Sequence, residues 1–310
     1  MTTHAPSSPP GSAPAAPDDA VTRARAALDA RDPAGALAIL GPALASEPED
    51  AALLTLAVAA ARAEGDLAGA ATYSRRLEAL QPFNLPVGWL GAILAGRPPS
   101  VPVAMGMELP PPFVVEDDAL PADWHDRIWR ESFDALEDFA PAAVIDDDGQ
   151  YADLESRSAK LIAEAEGAAR EVGLEVVRRL PDLLPRLAVP GFEPGRVEVQ
   201  VTLHTDGDFF RVHQDRPLDP DPSIAGRRVS FVYYMARRPR VFDGGWLRLY
   251  DTCAGSGTWR PERWTAIAPE DNRLIVFPSD AFHEVTPIHT PTDDPRDGRL
   301  TVNGWIHEVE

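Results

Sequence analysis

The sequence predicts an α+β protein, with a helical N-terminal part followed by a β-rich core closed as a barrel or sandwich and supported by helices. Three observations predict it. From Asp18 to about Gly96 the chain is rich in Ala and Leu at helical spacing. From about Arg196 it breaks into short β-rich runs separated by Pro, Gly and Asp clusters. Helices come first and strands later, which suits a barrel core with helices packed on it rather than an alternating parallel sheet.

The ends and the overall charge bound the function. The N-terminus, MTTHAPSSPPGSAPAAPDDA, lacks a basic stretch followed by an apolar one, so it does not read as a secretory signal. Its Pro, Ala and Ser content predicts a disordered tail over 1–17. No apolar run is long enough to span a membrane, and a cytoplasmic location is expected. The net charge of -20 opposes binding to a phosphate backbone, so nucleic acid is not an expected partner. The single cysteine, Cys253, excludes an intramolecular disulfide and is expected to be buried and unreactive.

Within 18–96 the chain repeats itself. RDPAGALAILGPALASEPED begins at Arg31 and GDLAGAATYSRRLEALQPFN at Gly65, an offset of 65 − 31 = 34 residues. Asp32 falls on Asp66, Gly35 on Gly69, Ala36 on Ala70 and Pro48 on Pro82. This period and pattern resemble the tetratricopeptide family of helix-turn-helix repeats. Small residues let paired helices approach, and a proline ends each second helix. LPVGWLGAIL, from Leu85, reads as a closing helix. A plain helical bundle packed on the next domain is the competing reading.

Residues 97–112 are Pro-rich and read as a linker, leaving 113–310 as the second domain. There FVVED predicts a short strand and PADWHDRIWRESFDAL a helix. VIDDDGQYADLESRS predicts a polar loop, whose Asp146, Asp147 and Asp148 lack the spacing of a calcium loop. AKLIAEAEGAAREVGLEVVRRL predicts one long helix. The strands follow in RVEVQVTLH, FFRVHQDRPL, RVSFVYYMA, GGWLRLYD, RLIVFPS and RLTVNGWIHEV.

The chemistry starts in FFRVHQDRPL. Residues i and i+2 of a strand face the same way, so His213 and Asp215 are expected to point together. His283, just after RLIVF, offers a third ligand. Two histidines and one carboxylate make the facial triad of non-heme Fe(II) oxygenases, which leaves positions open for a chelating 2-oxoacid and dioxygen. Arg299 opens a later strand; inside a barrel it needs an anion, and a carboxylate fits a guanidinium through two hydrogen bonds.

In order, HTDGDFFRVHQD, GRRVSFVYYMA, GGWLRLYD, RLIVFPSDAFHEVTPI and GRLTVNGWIH resemble the Fe(II)/2-oxoglutarate dioxygenases of the prolyl 4-hydroxylase type. The resemblance covers residues 196 to 308. It implies a double-stranded β-helix, or jelly-roll, core. It implies Fe(II) held by His213, Asp215 and His283, and 2-oxoglutarate and O2 as cosubstrates, with ascorbate as a reductant. It gives Arg299 the C5 carboxylate of 2-oxoglutarate and Tyr234 a hydrogen bond to it. Trp305 and Leu247 match pocket-lining positions. His204 stands where many relatives have tyrosine and is assigned to the cosubstrate pocket. Phe210 also replaces a common tyrosine. The stretch between His283 and Arg299 is long, which makes Arg296 a rival to Arg299. Arg211 and Arg228 are placed near the mouth as guides for an acidic group.

The resemblance implies hydroxylation of a C–H bond with release of succinate and carbon dioxide. The expected substrate is a prolyl residue in a protein or peptide, held with help from the helical repeats. A free amino acid or small biosynthetic intermediate is the second reading. The third is a non-catalytic scaffold binding through the repeats, which a missing ligand position would favour; none is missing.

Overall fold

The structure, a computed structural model, describes residues 17–142, 144–146, 149–151 and 156–309. The tail expected at 1–17 lies outside the described residues except for Pro17, and so do Asp147 and Asp148 of the acidic cluster.

Five helices come first: α1 (Pro17–Asp29), α2 (Pro33–Ser46), α3 (Ala51–Glu64), α4 (Leu67–Leu80) and α5 (Leu85–Leu94). The 34-residue offset holds for α2 and α4, since 33 + 34 = 67 and 46 + 34 = 80. The matched aspartates explain it. Asp32 and Asp66 each cap their helix by accepting the N–H of the matched glycine, Gly35 or Gly69, at 2.8 Å. Leu40, Leu44, Leu53, Leu54 and Leu77 fill the space between these helices, with Ala24, Ala36, Ala57 and Ala60 at the close approaches.

The core has eight principal strands: β1 (Pro194–His204), β2 (Phe209–His213), β3 (Arg227–Met235), β4 (Leu247–Cys253), β5 (Trp259–Ile267), β6 (Arg273–Pro278), β7 (His283–Val285) and β8 (Arg299–Glu308). They make two antiparallel sheets, ordered β6-β3-β8-β1 and β5-β4-β7-β2. Apart from the β4–β5 hairpin the chain alternates between the two sheets, which is the double-stranded β-helix. Short strands extend them: Val114–Glu116 on β6, Lys160–Ile162 on β1 and Arg157–Ser158 on β2.

Alternation along the larger sheet gives each face a task. Its outer residues, among them Val199, Val201, Phe231, Val302 and Ile306, pack under α6 (Ala122–Asp134) and α7 (Gly167–Arg186). Its inner residues, including His204, Tyr234, Ser230 and Arg299, face the smaller sheet.

Two expectations need correction. The long helix predicted from Ala159 begins only at Gly167. Lys160–Ile162 pairs with β1 instead, and Gly167 takes a φ of +57° that suits a glycine at the helix entrance. The helix then runs past the predicted end, through Pro181 and Pro185, to Arg186. The predicted linker is also less free than its composition suggests. Glu108–Leu109 pairs with β4, and Leu109 is packed beside Phe113, Trp89 and Ile275.

The helical array docks on the smaller sheet along its edge strand, β5. Arg62 of α3 reaches Asp251 at 2.5 and 3.2 Å and Thr265 at 2.9 Å, all buried. Trp264 donates to the Ala63 carbonyl at 3.2 Å. Gly65 ends α3 with φ +82° beneath Trp246, where a Cβ would stand 2.4 Å from the indole.

Candidate metal centre

Strand pairing brings the first ligands together. His213 ends β2, and His283 opens β7 directly opposite it in the antiparallel register. Asp215 lies beyond the end of β2, not on the strand as expected. The turn still directs it inward, since the Arg227 guanidinium holds the Asp215 carbonyl at 3.2 Å and Arg216 N–H donates to Ser279 O at 2.9 Å. The result is a compact set. His213 Nε2 lies 3.7 Å from Asp215 Oδ1, and His283 Nε2 lies 3.6 Å from Asp215 Oδ2. The ligand atoms of all three fall within 4.8 Å of one another.

Both imidazoles are oriented for a metal. The Nδ1 of His213 meets the Arg211 carbonyl at 2.8 Å, and that of His283 meets the Ala281 carbonyl at 2.9 Å. A carbonyl only accepts, so each Nδ1 carries the proton and each Nε2 keeps its lone pair for the centre. Ser230 donates to Asp215 Oδ2 at 2.7 Å. Burial alone raises the Asp215 carboxyl, but His283, His213 and the Ser230 hydroxyl outweigh it and hold it well below the carboxylate range. Burial, with His213 beside it, lowers His283 to about 4, so its imidazole is neutral at neutral pH. Two imidazoles with one ionised carboxylate are a donor set suited to Fe(II).

Deeper in the barrel lies a cationic end. Arg299, at the start of β8, is 2% exposed and pairs in register with His204 of β1. Its guanidinium stands over the Tyr234 ring at 4.8 Å and donates to His204 Nδ1 at 3.2 Å. His204 therefore carries its proton on Nε2. Burial, then Arg299 and Arg157, push its pKa well below the ordinary value, so the ring is neutral. Burial raises the Tyr234 phenol, with Arg299 opposing. Three buried polar atoms here have no protein partner: Arg299 Nε, His204 Nε2 and the Tyr234 hydroxyl. Among the described residues no carboxylate lies within ion-pair distance of Arg299. A buried guanidinium with orphaned donors around it fits a carboxylate ligand.

Gly245, just before β4, makes room for this arginine. At φ +65° a Cβ there would lie 2.8 Å from Arg299 Cδ. Leu247 and Trp305 line the same cavity.

The other predicted site residues fall elsewhere. Arg296 is exposed and stands over Phe133 at 5.3 Å, which leaves Arg299 as the buried one. Arg228 turns away from the mouth to Glu308 at 3.1 Å, because the register shifts between Arg227 and Val229. Arg211 is exposed beside Phe209, with its guanidinium 5.4 Å from that ring, and does not line the cavity. Cys253 is half-buried and free, not fully buried.

Among the lining residues not expected from the sequence are Arg157, Gln200, Asn303 and Phe277. Three carried a signal. Gln200 shares a strand face with His204, Asn303 with Arg299, and Phe277 is the Cα partner of Ser230 across β6 and β3.

Residues 199–307 match the sequence model of the 2OG-Fe(II) oxygenase superfamily. This segment is a 2OG-Fe(II) oxygenase domain. It spans β1 to β8 apart from their ends, and so contains the triad and Arg299. Its chain is similar to an uncharacterised PKHD-type hydroxylase of Synechocystis, 32% identical over 183 residues. That alignment takes in 59% of this chain and 58% of the relative, so the chain spans less than two thirds of the relative's length. Among solved structures, a Pseudomonas putida prolyl-4-hydroxylase is 23% identical, with a TM-score of 0.47 over 67% of this chain and 95% of that one. A Trichoplax adhaerens prolyl hydroxylase, solved with a hypoxia-inducible-factor peptide fragment, is 17% identical. Its TM-score is 0.49 over 63% of this chain and 83% of that one.

Proposed function

We propose that the protein is an Fe(II)/2-oxoglutarate-dependent dioxygenase that hydroxylates a prolyl residue in a protein or peptide. One observation carries the reading. A two-histidine, one-carboxylate cluster and a buried arginine ringed by orphaned polar atoms share a single barrel cavity. His213, Asp215 and His283 would hold the metal. Arg299, Tyr234 and His204 would hold the distal carboxylate of the cosubstrate. Bound together, Fe(II) and 2-oxoglutarate supply the oxidising power to insert one atom of O2 into a C–H bond, yielding succinate and carbon dioxide. The protein's part is to orient these groups and keep water away. Asp215 stays ionised, and the Nδ1 hydrogen bonds fix both imidazoles. Phe210, Phe277, Leu247 and Val285 make the walls apolar.

A polypeptide substrate is supported by a groove of about 410 Å³ between the helical array and the barrel. Leu28, Leu56 and Val87 line it from the helices, and Arg263 and Trp264 from β5. Trp264 also belongs to an aromatic cluster with Tyr250, Trp259 and Phe282, and Phe282 is the residue before His283. A groove built from both parts suits a chain more than a single small molecule. The small cavity at the triad, about 60 Å³, favours the second reading, a free amino acid or small intermediate.

The test is turnover with Fe(II), 2-oxoglutarate and O2, offering proline-containing peptides beside free amino acids. The expected result is succinate formation stimulated by peptides, with one oxygen atom added at proline. Stimulation by free amino acids alone supports the second reading. No succinate under any condition, from iron-loaded protein, rejects the assignment.

A further inference from the structure

The cavity holds a second guanidinium. Arg157 lies near the end of the stretch read as a polar loop, before the long helix and far in sequence from the ligand motifs. Its two-residue strand pairs with β2, Arg157 lying opposite Phe210. Three residues later, Lys160–Ile162 pairs with β1. Residues 157–162 thus cross from the edge of the smaller sheet to the edge of the larger one, and Arg157 lines the cavity from that crossing.

Three features place Arg157 at the metal end. Its guanidinium lies over the Phe210 ring at 4.7 Å, and the other partner of that ring is His213, stacked at 3.6 Å and 18°. Its charge acts on both Asp215 and His204. Its Nε is buried without a protein partner, and among the described residues no carboxylate lies within ion-pair distance. Burial lowers its pKa to about 10, with Asp215 opposing, so it remains a cation at neutral pH.

The charges of the cavity then match a particular ligand. Arg157 and Arg299 are its two guanidinium groups, and Asp215 is the single carboxylate among the lining residues. A 2-oxo dicarboxylate has two carboxylates. Arg299 serves one in the reading above, on which this inference rests. The other, beside the oxo group, gives one oxygen to the metal and needs a donor for its second oxygen. Asn303 already donates to Thr202 at 2.8 Å, whereas Arg157 has a free, charged donor. We propose that Arg157 binds the metal-end carboxylate of the 2-oxoacid, so that two arginines clamp the cosubstrate from its two ends.

The experiment is an anaerobic titration of the full-length Fe(II)-loaded protein, read by the visible charge-transfer band. The ligands are 2-oxoglutarate and 2-oxobutyrate, which keeps the 2-oxo carboxylate and lacks the distal one. Arg157→Gln should weaken both ligands by the same factor, about tenfold to a hundredfold for a lost charge-assisted hydrogen bond. Arg299→Gln should weaken 2-oxoglutarate and leave 2-oxobutyrate unchanged. Arg157→Lys, which keeps the charge, should recover part of the loss and serves where the Gln variant fails to fold or load iron. Wild-type affinity of the Arg157 variants for both ligands overturns the proposal while leaving the dioxygenase reading intact. So does a loss confined to 2-oxoglutarate, which would put Arg157 at the distal end. Absence of the band from the wild type rejects both.

Discussion

Single side chains around Asp215 and Arg299 decide whether the barrel can hold its ligands. Ser230 fixes one oxygen of Asp215 and is itself held by the Ser279 hydroxyl at 3.0 Å. Removing such a hydrogen bond to a metal ligand typically lowers metal affinity about tenfold to a hundredfold. Ser230→Ala should therefore weaken Fe(II) by that order in equilibrium dialysis, while its thermal unfolding stays near wild type. Gly245 acts on the other end. Gly245→Ala puts a methyl group against Arg299 at a backbone conformation that disfavours it. The expected result is weaker 2-oxoglutarate binding with Fe(II) affinity unchanged, measured by titration of the iron-loaded variant. At this scale the sequence was informative where spacing carries chemistry. His213, Asp215, His283 and Arg299 were legible because few residue types serve as ligands or bury a charge. Arg157 was not, because only the pairing of Arg157–Ser158 with β2 brings it to the site, and pairing across that distance leaves no local pattern. Arg228 misled for a related reason. Its face depends on a shift in strand register that the sequence does not announce.

The elements that support the larger sheet are joined by polar contacts as well as by packing. His125 of α6 meets the Tyr233 hydroxyl at 2.6 Å through Nδ1 and Asp271 at 3.2 Å through Nε2. Tyr233 donates to Asn272 at 2.8 Å, and Asn272 holds both the N–H and the carbonyl of Leu120. Burial alone raises the Asp271 carboxyl, but His125, the Ala236 N–H and Arg238 outweigh it and hold it below the usual range. A depressed carboxyl stabilises the fold above its unfolded pKa of 3.8, and that share is lost as pH falls through the lower folded value. Asp271→Asn should cost about 1–3 kcal/mol at neutral pH. It should also flatten the loss of stability below pH 3.8, as read by urea unfolding across pH. Six of the eight core strands were legible as runs set off by Gly, Pro or Asp, while β5 and β7 were not among them. The start of α7 was not. The residues from Ala159 have helical composition, and the unpaired edge of β1 takes three of them as a strand, tertiary pairing overriding local preference.

The whole molecule depends on how the helical array is fixed to the barrel. Arg62 and Asp251 form a buried pair on which little else can substitute, because either charge alone would be stranded in the interface. Arg62→Ala should cost about 3–5 kcal/mol by chemical denaturation, and Asp251→Ala a similar amount, with the double variant recovering part of the loss. Composition foretold the helix-then-strand order but read 97–112 as a free linker. Its prolines in fact lead into Leu109 and Phe113, which are buried against the barrel, and burial of this kind depends on partners far along the chain. The function of the whole molecule turns on the cavity between the two sheets, and one titration decides it. Fe(II) and 2-oxoglutarate are added without oxygen, and the visible charge-transfer band is followed in the wild type, His283→Ala and Arg299→Ala. A band is expected in the wild type, lost in His283→Ala and needing much more 2-oxoglutarate in Arg299→Ala. A folded wild-type protein that binds Fe(II) yet shows no band, or a band untouched by His283→Ala, would contradict it.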